Sequence, residues 1–183
     1  MTQCIALLRG INVGRAKRIP MAELRTLIEG LGFSEVRTLL NSGNAVFQTE
    51  GLGVGRIAAS IAAAIENEFG FTVPVVVLTA QKLNAIVAEN ALHQGTVDPS
   101  KLLVAFVARR STLASAKSLL AESWAPDEIS IGSKAAYLWC ANGVIQSRLM
   151  KAFSRATGEG ATTRNWATVL KLQAAATTGQ DSA

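Results

Sequence analysis

The stretch Val36-Arg37-Thr38-Leu39-Leu40-Asn41-Ser42-Gly43-Asn44-Ala45-Val46-Phe47-Gln48-Thr49 decides the fold class of the first half of the chain. Its two ends are rich in aliphatic and β-branched residues, which are typical of strands. The four residues between them, Asn41–Asn44, are all turn formers. Two strand-like runs around such a turn predict a β-hairpin and therefore an antiparallel sheet.

Strand and helix patterns flank this hairpin on both sides. The apolar run Cys4–Leu8 predicts a buried strand, and a second strand is expected at Val73–Leu78. Between them and the hairpin, the apolar positions within 21–31 and those from Ile57 to Phe69 have the spacing of amphipathic helices. The resulting order is β-α-β-β-α-β, which is the ferredoxin-like or split-βαβ order.

The second half of the chain repeats much of this order. The patterns predict a helix after Thr79, a strand at Leu102–Val107, a helix at Leu113–Glu122, a hairpin around Gly132-Ser133-Lys134, and two last helices near 145–157 and 164–176. We therefore predict an α+β fold with two ferredoxin-like-order halves, β-α-β-β-α-β and then α-β-α-β-β-α-α, whose antiparallel sheets are covered by helices. The expected domains are residues 1–79 and 80–176, followed by a polar tail at 177–183.

Composition indicates a folded chain outside the membrane. Of its 183 residues 49% are hydrophobic, and a chain of this size buries about 70% of its extended surface. No apolar stretch approaches the roughly 20 residues of a membrane span, and the N-terminus lacks a signal-peptide pattern. We therefore expect a cytoplasmic protein with no membrane partner. Cys4 and Cys140 lie in apolar runs, so we expect buried, reduced thiols.

Positive charge is concentrated in three segments, residues 1–18, 101–117 and 148–171. The formal net charge is +5, and Glu159 is the one acid within these segments. Such clustering is expected if the three segments converge on an anion. Three separate solvated patches would give the same pattern, so the sequence leaves both interpretations open.

Four strings of the sequence resemble a bacterial family, the domain of unknown function 1697. They are Ala6-Leu7-Leu8-Arg9-Gly10-Ile11-Asn12-Val13-Gly14, Ile19-Pro20-Met21-Ala22-Glu23-Leu24, Asn41-Ser42-Gly43-Asn44-Ala45-Val46-Phe47, and Thr163-Arg164-Asn165-Trp166-Ala167-Thr168-Val169-Leu170-Lys171-Leu172. The resemblance runs from the first strand to about Leu172. The family pattern usually has glycine at Arg15 and Ser-Lys-Leu at Ser147-Arg148-Leu149. The family has no established activity, so the resemblance implies an identity without a function.

The loop from Arg9 to Arg18 has the composition of an anion-binding loop. Gly10 and Gly14 permit positive φ, while the basic residues and Asn12 supply hydrogen-bond donors. The loop enters a helix, whose N-terminus could hold a phosphate or a carboxylate. The P-loop pattern is absent. A plain strand–helix connection that needs glycine for its geometry is the alternative.

The last predicted helix supplies a second group of candidate residues. On a helix over 164–176, Arg164, Thr168 and Lys171 fall within about 60° of one another. Ordinary amphipathicity with a solvated face is the alternative. We expect both groups and the Asn41–Asn44 turn to form one cationic pocket. The candidate ligand-binding residues are Arg9, Asn12, Lys17, Ser42, Asn44, Arg164, Asn165, Thr168 and Lys171.

Several enzyme classes find no support in the sequence. The string Gly51-Leu52-Gly53-Val54-Gly55-Arg56 has arginine where a dinucleotide-binding loop needs glycine. His93 is the single histidine and lies far in sequence from both cysteines, which argues against a zinc site. A Ser-His-Asp triad would have to use this same histidine, which lies in a polar loop before Pro99. We therefore predict no metal and no cofactor, and the sequence identifies no catalytic residue.

Two functions remain after these exclusions. The first is a binding protein for a phosphate-bearing or other anionic ligand, whether nucleotide, sugar phosphate or nucleic acid. The second is a small metal-independent enzyme that acts on a phosphorylated or acidic metabolite. An RNA-reading sheet would need exposed aromatic residues, for which Phe47, Phe106 and Tyr137 are the candidates, and core packing explains each of them equally well.

Overall fold

The computed structural model describes residues 1–92 and 98–177. The chain divides into two compact units. The first unit is Met1–Leu83 together with the chain from Leu172, and the second unit is Asn84–Lys171. Each unit contains one four-stranded antiparallel sheet with helices, which confirms the predicted α+β class.

The first unit follows the order β-α-β-β-α-β. Its elements are β1 (Thr2–Leu8), α1 (Met21–Gly30), β2 (Ser34–Leu39), β3 (Asn44–Thr49), α2 (Val54–Phe69) and β4 (Val75–Thr79). The strands lie in the order β2-β3-β1-β4, so β1 is a central strand flanked by β3 and β4. The predicted hairpin is present, and its strands pair with Leu39 opposite Asn44.

Hydrophobic spacing explains how the first unit packs. Ile57, Ile61 and Ile65 recur every fourth residue on α2, and all three are fully buried. They pack with Leu24 and Ile28 of α1 against the face of β1 that carries Cys4, Ala6 and Leu8. The helix ends at Gly70, whose φ of +75° is the left-handed conformation that favours glycine. The apolar faces of both helices therefore cover one face of the sheet.

The described part of the chain from residue 80 to Thr177 contains four helices, four strands and two short 3-10 segments. The elements are α3 (Ala80–Ala88), β5 (Leu102–Val107), α4 (Arg110–Ser115), a 3-10 helix (Lys117–Ala121), β6 (Glu128–Ile131), β7 (Ala135–Trp139), α5 (Arg148–Thr157), a 3-10 turn (Gly158–Gly160), β8 (Ala161–Asn165) and α6 (Trp166–Thr177). The strand order is β6-β7-β5-β8. The division between the units falls inside α3 and α6. Within the first unit, Arg37 Nη2 on β2 donates to the Ala175 carbonyl at 2.7 Å.

The C-terminal part of the second unit differs from the prediction. A helix over 164–176 is wrong at its start, because Ala161–Asn165 forms β8, which pairs with β5 and places Arg164 opposite Val104. Thr162 and Thr163 are β-branched and suit a strand. Asn165 then caps α6, since its Oδ1 accepts from the Thr168 amide at 2.9 Å. The second half therefore has a strand between its last two helices, which the predicted order lacked.

Two smaller predictions also need correction or fall outside the described residues. The helix expected at Leu113–Glu122 is the short α4 followed by a 3-10 helix. His93 lies outside the described residues, as does the predicted polar tail except for Thr177, which ends α6. Among the described residues, no helix is long and apolar enough to span a bilayer.

A buried glutamine on β1 generates a stability test. Gln3 is 7% exposed, and neither its Oε1 nor its Nε2 has a hydrogen-bond partner among the described residues. A buried polar group without a partner costs about 1–3 kcal/mol. We expect Gln3→Met to raise the melting temperature by about 2–4 °C, since roughly 1 kcal/mol shifts a chain of this size by that amount. Thermal unfolding followed by circular dichroism measures the shift.

The exposed Gln81 supplies the matched control for this substitution. Gln81→Met removes the same amide from a solvated position, so the melting temperature should stay within a degree or so of wild type. A Gln3→Met variant that melts several degrees below wild type would show that the Gln3 amide has a stabilising partner.

Candidate functional site

The side chain of Asn12 fixes the loop between β1 and α1. Its Nδ2 donates to the Ile19 carbonyl and to the Asn41 carbonyl, each at 2.9 Å. Its Oδ1 accepts from the Ile19 amide at 2.9 Å, and its own amide donates to the Lys17 carbonyl at 3.1 Å. Asn12 itself has a φ of +56°. The loop is therefore closed across its width and tied to the hairpin turn 29 residues along the chain.

The hairpin turn packs directly against the end of β1. The Leu8 amide donates to the Gly43 carbonyl at 2.8 Å. Gly43 has a φ of +77°, and a Cβ there would lie 2.7 Å from the Leu8 Cβ and 2.8 Å from the Ile11 Cδ1. Position 43 thus requires glycine for two reasons, the left-handed backbone conformation and the lack of room for a Cβ. This contact places the turn beside the first residues of the basic loop.

Two predicted ligand-binding residues of the turn make hydrogen bonds within it. Asn44 is fully buried, and its Nδ2 donates to the Leu39 carbonyl and to the Ser42 Oγ, each at 2.9 Å. These bonds close the hairpin across its own turn. The structure therefore gives Ser42 and Asn44 a positioning role, while their role in binding a ligand stays a prediction.

The basic residues of the loop differ in their exposure and in their hydrogen bonds to the rest of the protein. Lys17 Nζ donates to the Thr72 carbonyl at 3.0 Å, and Arg9 is half-buried, with its amide donating to the Pro74 carbonyl at 3.0 Å. Arg15 and Arg18 are exposed, and neither side chain makes a hydrogen bond or ion pair with the described part of the chain. These two guanidinium groups were absent from the candidate residues, although the sequence places them in the same loop.

The second unit holds the other candidate residues. Arg164 is 9% exposed, and its Nη1 donates to the Thr162 Oγ1 at 3.0 Å and to the Thr163 carbonyl at 2.9 Å. Burial lowers the pKa of Arg164 to about 10, so the guanidinium remains charged at neutral pH. These two bonds hold the guanidinium against its own strand, β8.

The expected cationic stripe on the last helix is not formed as predicted. Arg164 lies on β8 and Asn165 caps α6, so only Thr168 and Lys171 of the group lie within the helix. Thr168 is buried and Lys171 is exposed. That these four residues share one pocket with Arg9 and Asn12 stays a prediction.

The two thiols are buried, and their pKa values are raised. Cys4 and Cys140 are both buried and free. Burial raises the pKa of Cys4 to about 11 and also raises the pKa of Cys140, so neither is a ready nucleophile at neutral pH. Within the described ranges, no group of three or more His, Cys, Asp or Glu side chains is arranged to hold a metal ion.

The aromatic candidates for base stacking lie in the cores. Phe47 and Tyr137 are fully buried and Phe106 is 1% exposed. Tyr137 also donates its hydroxyl to the Ile86 carbonyl at 2.6 Å. None of the three forms the exposed platform that base stacking on a sheet requires.

Comparisons with known proteins support the architecture and the family. A family model described as "Protein of unknown function (DUF1697)" matches residues 1–137. The chain belongs to this family. A solved structure, that of a conserved bacterial protein from Streptococcus pneumoniae, is similar with a TM-score of 0.74 and 19% identity, over 96% of this chain and 98% of that one. This likeness shows the fold. No curated protein matches the sequence.

The extent of the DUF1697 match separates the two groups of candidate residues. The basic loop and the hairpin turn both lie within residues 1–137. Arg164, Asn165, Thr168 and Lys171 lie beyond the matched part. The geometry fixed by Asn12 and Gly43 therefore belongs to the part of the chain that defines its membership of the family.

Two glycines in the left-handed region test how tightly the DUF1697 turn and loop fit together. Gly43 has no room for a Cβ, whereas at Gly10, with a φ of +70°, nothing lies within 4 Å of that position. Gly10→Ala should lower the free energy of unfolding by only about 1–2 kcal/mol, because alanine disfavours the left-handed conformation. Gly43→Ala should lower the free energy of unfolding by roughly a further 1–3 kcal/mol, because the added Cβ overpacks the contact. Urea unfolding of both variants gives the two free energies, and equal losses would refute the tight packing of the turn.

Proposed function

We propose that this protein binds a phosphate-bearing anion, such as a nucleotide, a sugar phosphate or a nucleic acid phosphate, on the Arg9–Arg18 loop of the first unit. The observation that carries the proposal is the Asn12 side chain, whose three hydrogen bonds hold a cationic loop in place. Arg15 and Arg18 extend from this loop, exposed to solvent.

A fixed loop binds an anion at a lower entropic cost than a flexible one. The conformation that presents Arg15 and Arg18 is set by contacts at both ends of the loop, so less backbone freedom is lost when a ligand arrives. Arginine also presents a planar fork that can donate two parallel hydrogen bonds to a phosphate. The combination favours a compact, multiply charged oxyanion over a neutral ligand.

The start of α1 adds to the attraction of this loop for anions. The helix begins at Met21, shortly after the loop, and its N-cap residue, Pro20, makes no side-chain capping bond. The first amides of a helix carry partial positive charge and lack partners within the helix. Glu23 in the first turn opposes this effect. The arginines therefore supply most of the attraction.

The other candidate residues enter the proposal with different roles. Asn12, Ser42, Gly43 and Asn44 position the loop and the turn, whereas Arg9 and Lys17 add charge to them. Arg164, Asn165, Thr168 and Lys171 remain proposed ligand-binding residues of the second unit. We also propose that the protein acts in the cytoplasm and needs no cofactor for this binding.

The direct test is the double substitution Arg15→Ala/Arg18→Ala, measured by isothermal titration with ATP and with inorganic pyrophosphate. Each charge-assisted hydrogen bond lost should cost about 1.5–3 kcal/mol, roughly ten- to hundred-fold in affinity. Both side chains are exposed, so the melting temperature should stay near that of wild type. The exposed Arg56 on α2 is the matched control, and Arg56→Ala should bind as wild type does.

Two results would contradict the proposal, and a third would extend it. If the wild-type protein binds neither probe at millimolar concentration, the proposed function is refuted. If the double variant and wild type bind the probes equally well, the loop is not the binding site. Release of phosphate or conversion of a phosphorylated metabolite, lost in the same variant, would instead support the enzyme alternative at this loop.

A further inference from the structure

The helices of the two units carry opposite charge, although both units place helices on one face of an antiparallel sheet. In the first unit, α1 and α2 contain four acids and two bases. In the second unit, α4, the 3-10 helix and α5 contain five bases and no acid. The contrast arises between helices that cover sheets of the same strand connectivity, so the fold alone does not account for it.

The outer face of α5 is a continuous line of positive charge. Leu149 and Phe153 are buried in the core of the second unit, while Arg148, Lys151 and Arg155 are exposed. At 100° per residue these three cations fall within about 60° of one another, and they span about 10 Å of the helix. None of the three side chains makes a hydrogen bond or ion pair with a residue that the structure describes.

The first turn of α4 lies beside the C-terminal end of α5. A Cβ on Gly160, which follows α5, would come within 2.8 Å of the Thr112 Oγ1 on α4. The Thr112 amide in turn donates to the Arg109 carbonyl at 3.2 Å. Arg109 and Arg110 are both exposed, so two more cations lie near this end of the line on α5.

We infer that this surface, hereafter the basic helical layer (Arg109, Arg110, Arg148, Lys151 and Arg155), binds the phosphate backbone of nucleic acid. Its charges extend over at least the 10 Å of α5, so one small anion cannot contact them all. A polyanion with regularly repeated charge can, and it gains entropy by releasing its condensed counterions. The inference uses none of the residues of the Arg9–Arg18 loop.

The surface is suited to the backbone and not to the bases. The helices α4 and α5 expose no aromatic side chain, and Phe47, Phe106 and Tyr137 are buried. Contacts to phosphates fix position but carry no direct sequence information. The binding should therefore be strongly salt-dependent and nearly independent of sequence.

A lipid surface and a second copy of the chain are weaker matches to the same charge. A helix that lies in a bilayer interface buries an apolar face in the lipid, and the apolar residues Leu149 and Phe153 of α5 are already in the protein core. Ile145, which precedes α5, is 84% exposed, but a single apolar side chain is not the apolar face that such a helix needs. A second copy could offer the acidic helices of its first unit, but four acids mixed with two bases are a poor complement to a surface of five cations.

The test is fluorescence anisotropy with a labelled 20-base-pair DNA duplex of mixed sequence over about 50–200 mM salt. Wild type should bind, with log affinity falling linearly against log salt. The variant Arg148→Ala/Lys151→Ala/Arg155→Ala should bind at least about tenfold more weakly and have a slope smaller by up to about 2.7, since each neutralised phosphate contributes roughly 0.9. A second, unrelated duplex should give the same affinity.

Three further variants identify the source of any loss. Arg25→Ala/Arg56→Ala removes charge from the helices of the first unit and should leave duplex binding unchanged. Arg148→Lys/Arg155→Lys keeps the charge and should keep the salt slope, which controls for damage to the fold. Arg15→Ala/Arg18→Ala should keep most of the duplex affinity while losing ATP, so failure at one site is distinguishable from failure at the other.

The inference is overturned if wild type does not bind the duplex, or if the triple-alanine variant binds it as well as wild type. It is also overturned if wild type binds vesicles of phosphatidylcholine and phosphatidylserine but not the duplex, which would assign the surface to a membrane. Low-salt self-association in sedimentation, abolished by the triple substitution in the absence of duplex binding, would assign it to a second copy of the chain.

Discussion

The side chain of Asn12 is the point on which the geometry of the first unit's loop depends. Its amide and carbonyl groups bond to both backbone groups of Ile19 and to the Asn41 carbonyl, so one residue closes the loop and joins it to the hairpin turn. Gly43 completes the junction, because its lack of a Cβ lets the turn rest on Leu8 and Ile11. Without these contacts, the arginines of the loop would extend from a flexible chain and bind an anion only at a larger entropic cost.

Most of the fold could be predicted because its signals are local. The period-four isoleucines of α2 and the turn residues at Asn41–Asn44 each specify one element within a short window. The strand β8 was missed because four of its five residues are polar, so it has no apolar run, and the sequence after it has a helical pattern. Thr162-Thr163 followed by Asn165 was the available signal, with the asparagine as the cap of α6.

The candidate site was predicted less completely, for a reason that lies in hydrogen-bond chemistry. An asparagine or an arginine offers the same donors whether it binds a ligand or the protein itself. Which of the two it does depends on contacts distant in sequence, such as Asn12 with Asn41 or Lys17 with Thr72. The sequence therefore indicated this loop as a candidate, while the structure shows that its asparagine organises the loop and that the Arg15 and Arg18 side chains are exposed.

The central claim is that an anion binds on the loop that Asn12 holds in place. Titration of the isotopically labelled protein with inorganic pyrophosphate, followed residue by residue in backbone amide NMR spectra, tests it most directly. The account predicts saturable shifts centred on the amides of residues 9–18, with smaller ones at 41–44, and an Ile19 amide that stays slow to exchange because Asn12 accepts its hydrogen bond. Shifts that are absent from the loop, or an Ile19 amide that exchanges as fast as an unstructured one, would contradict it.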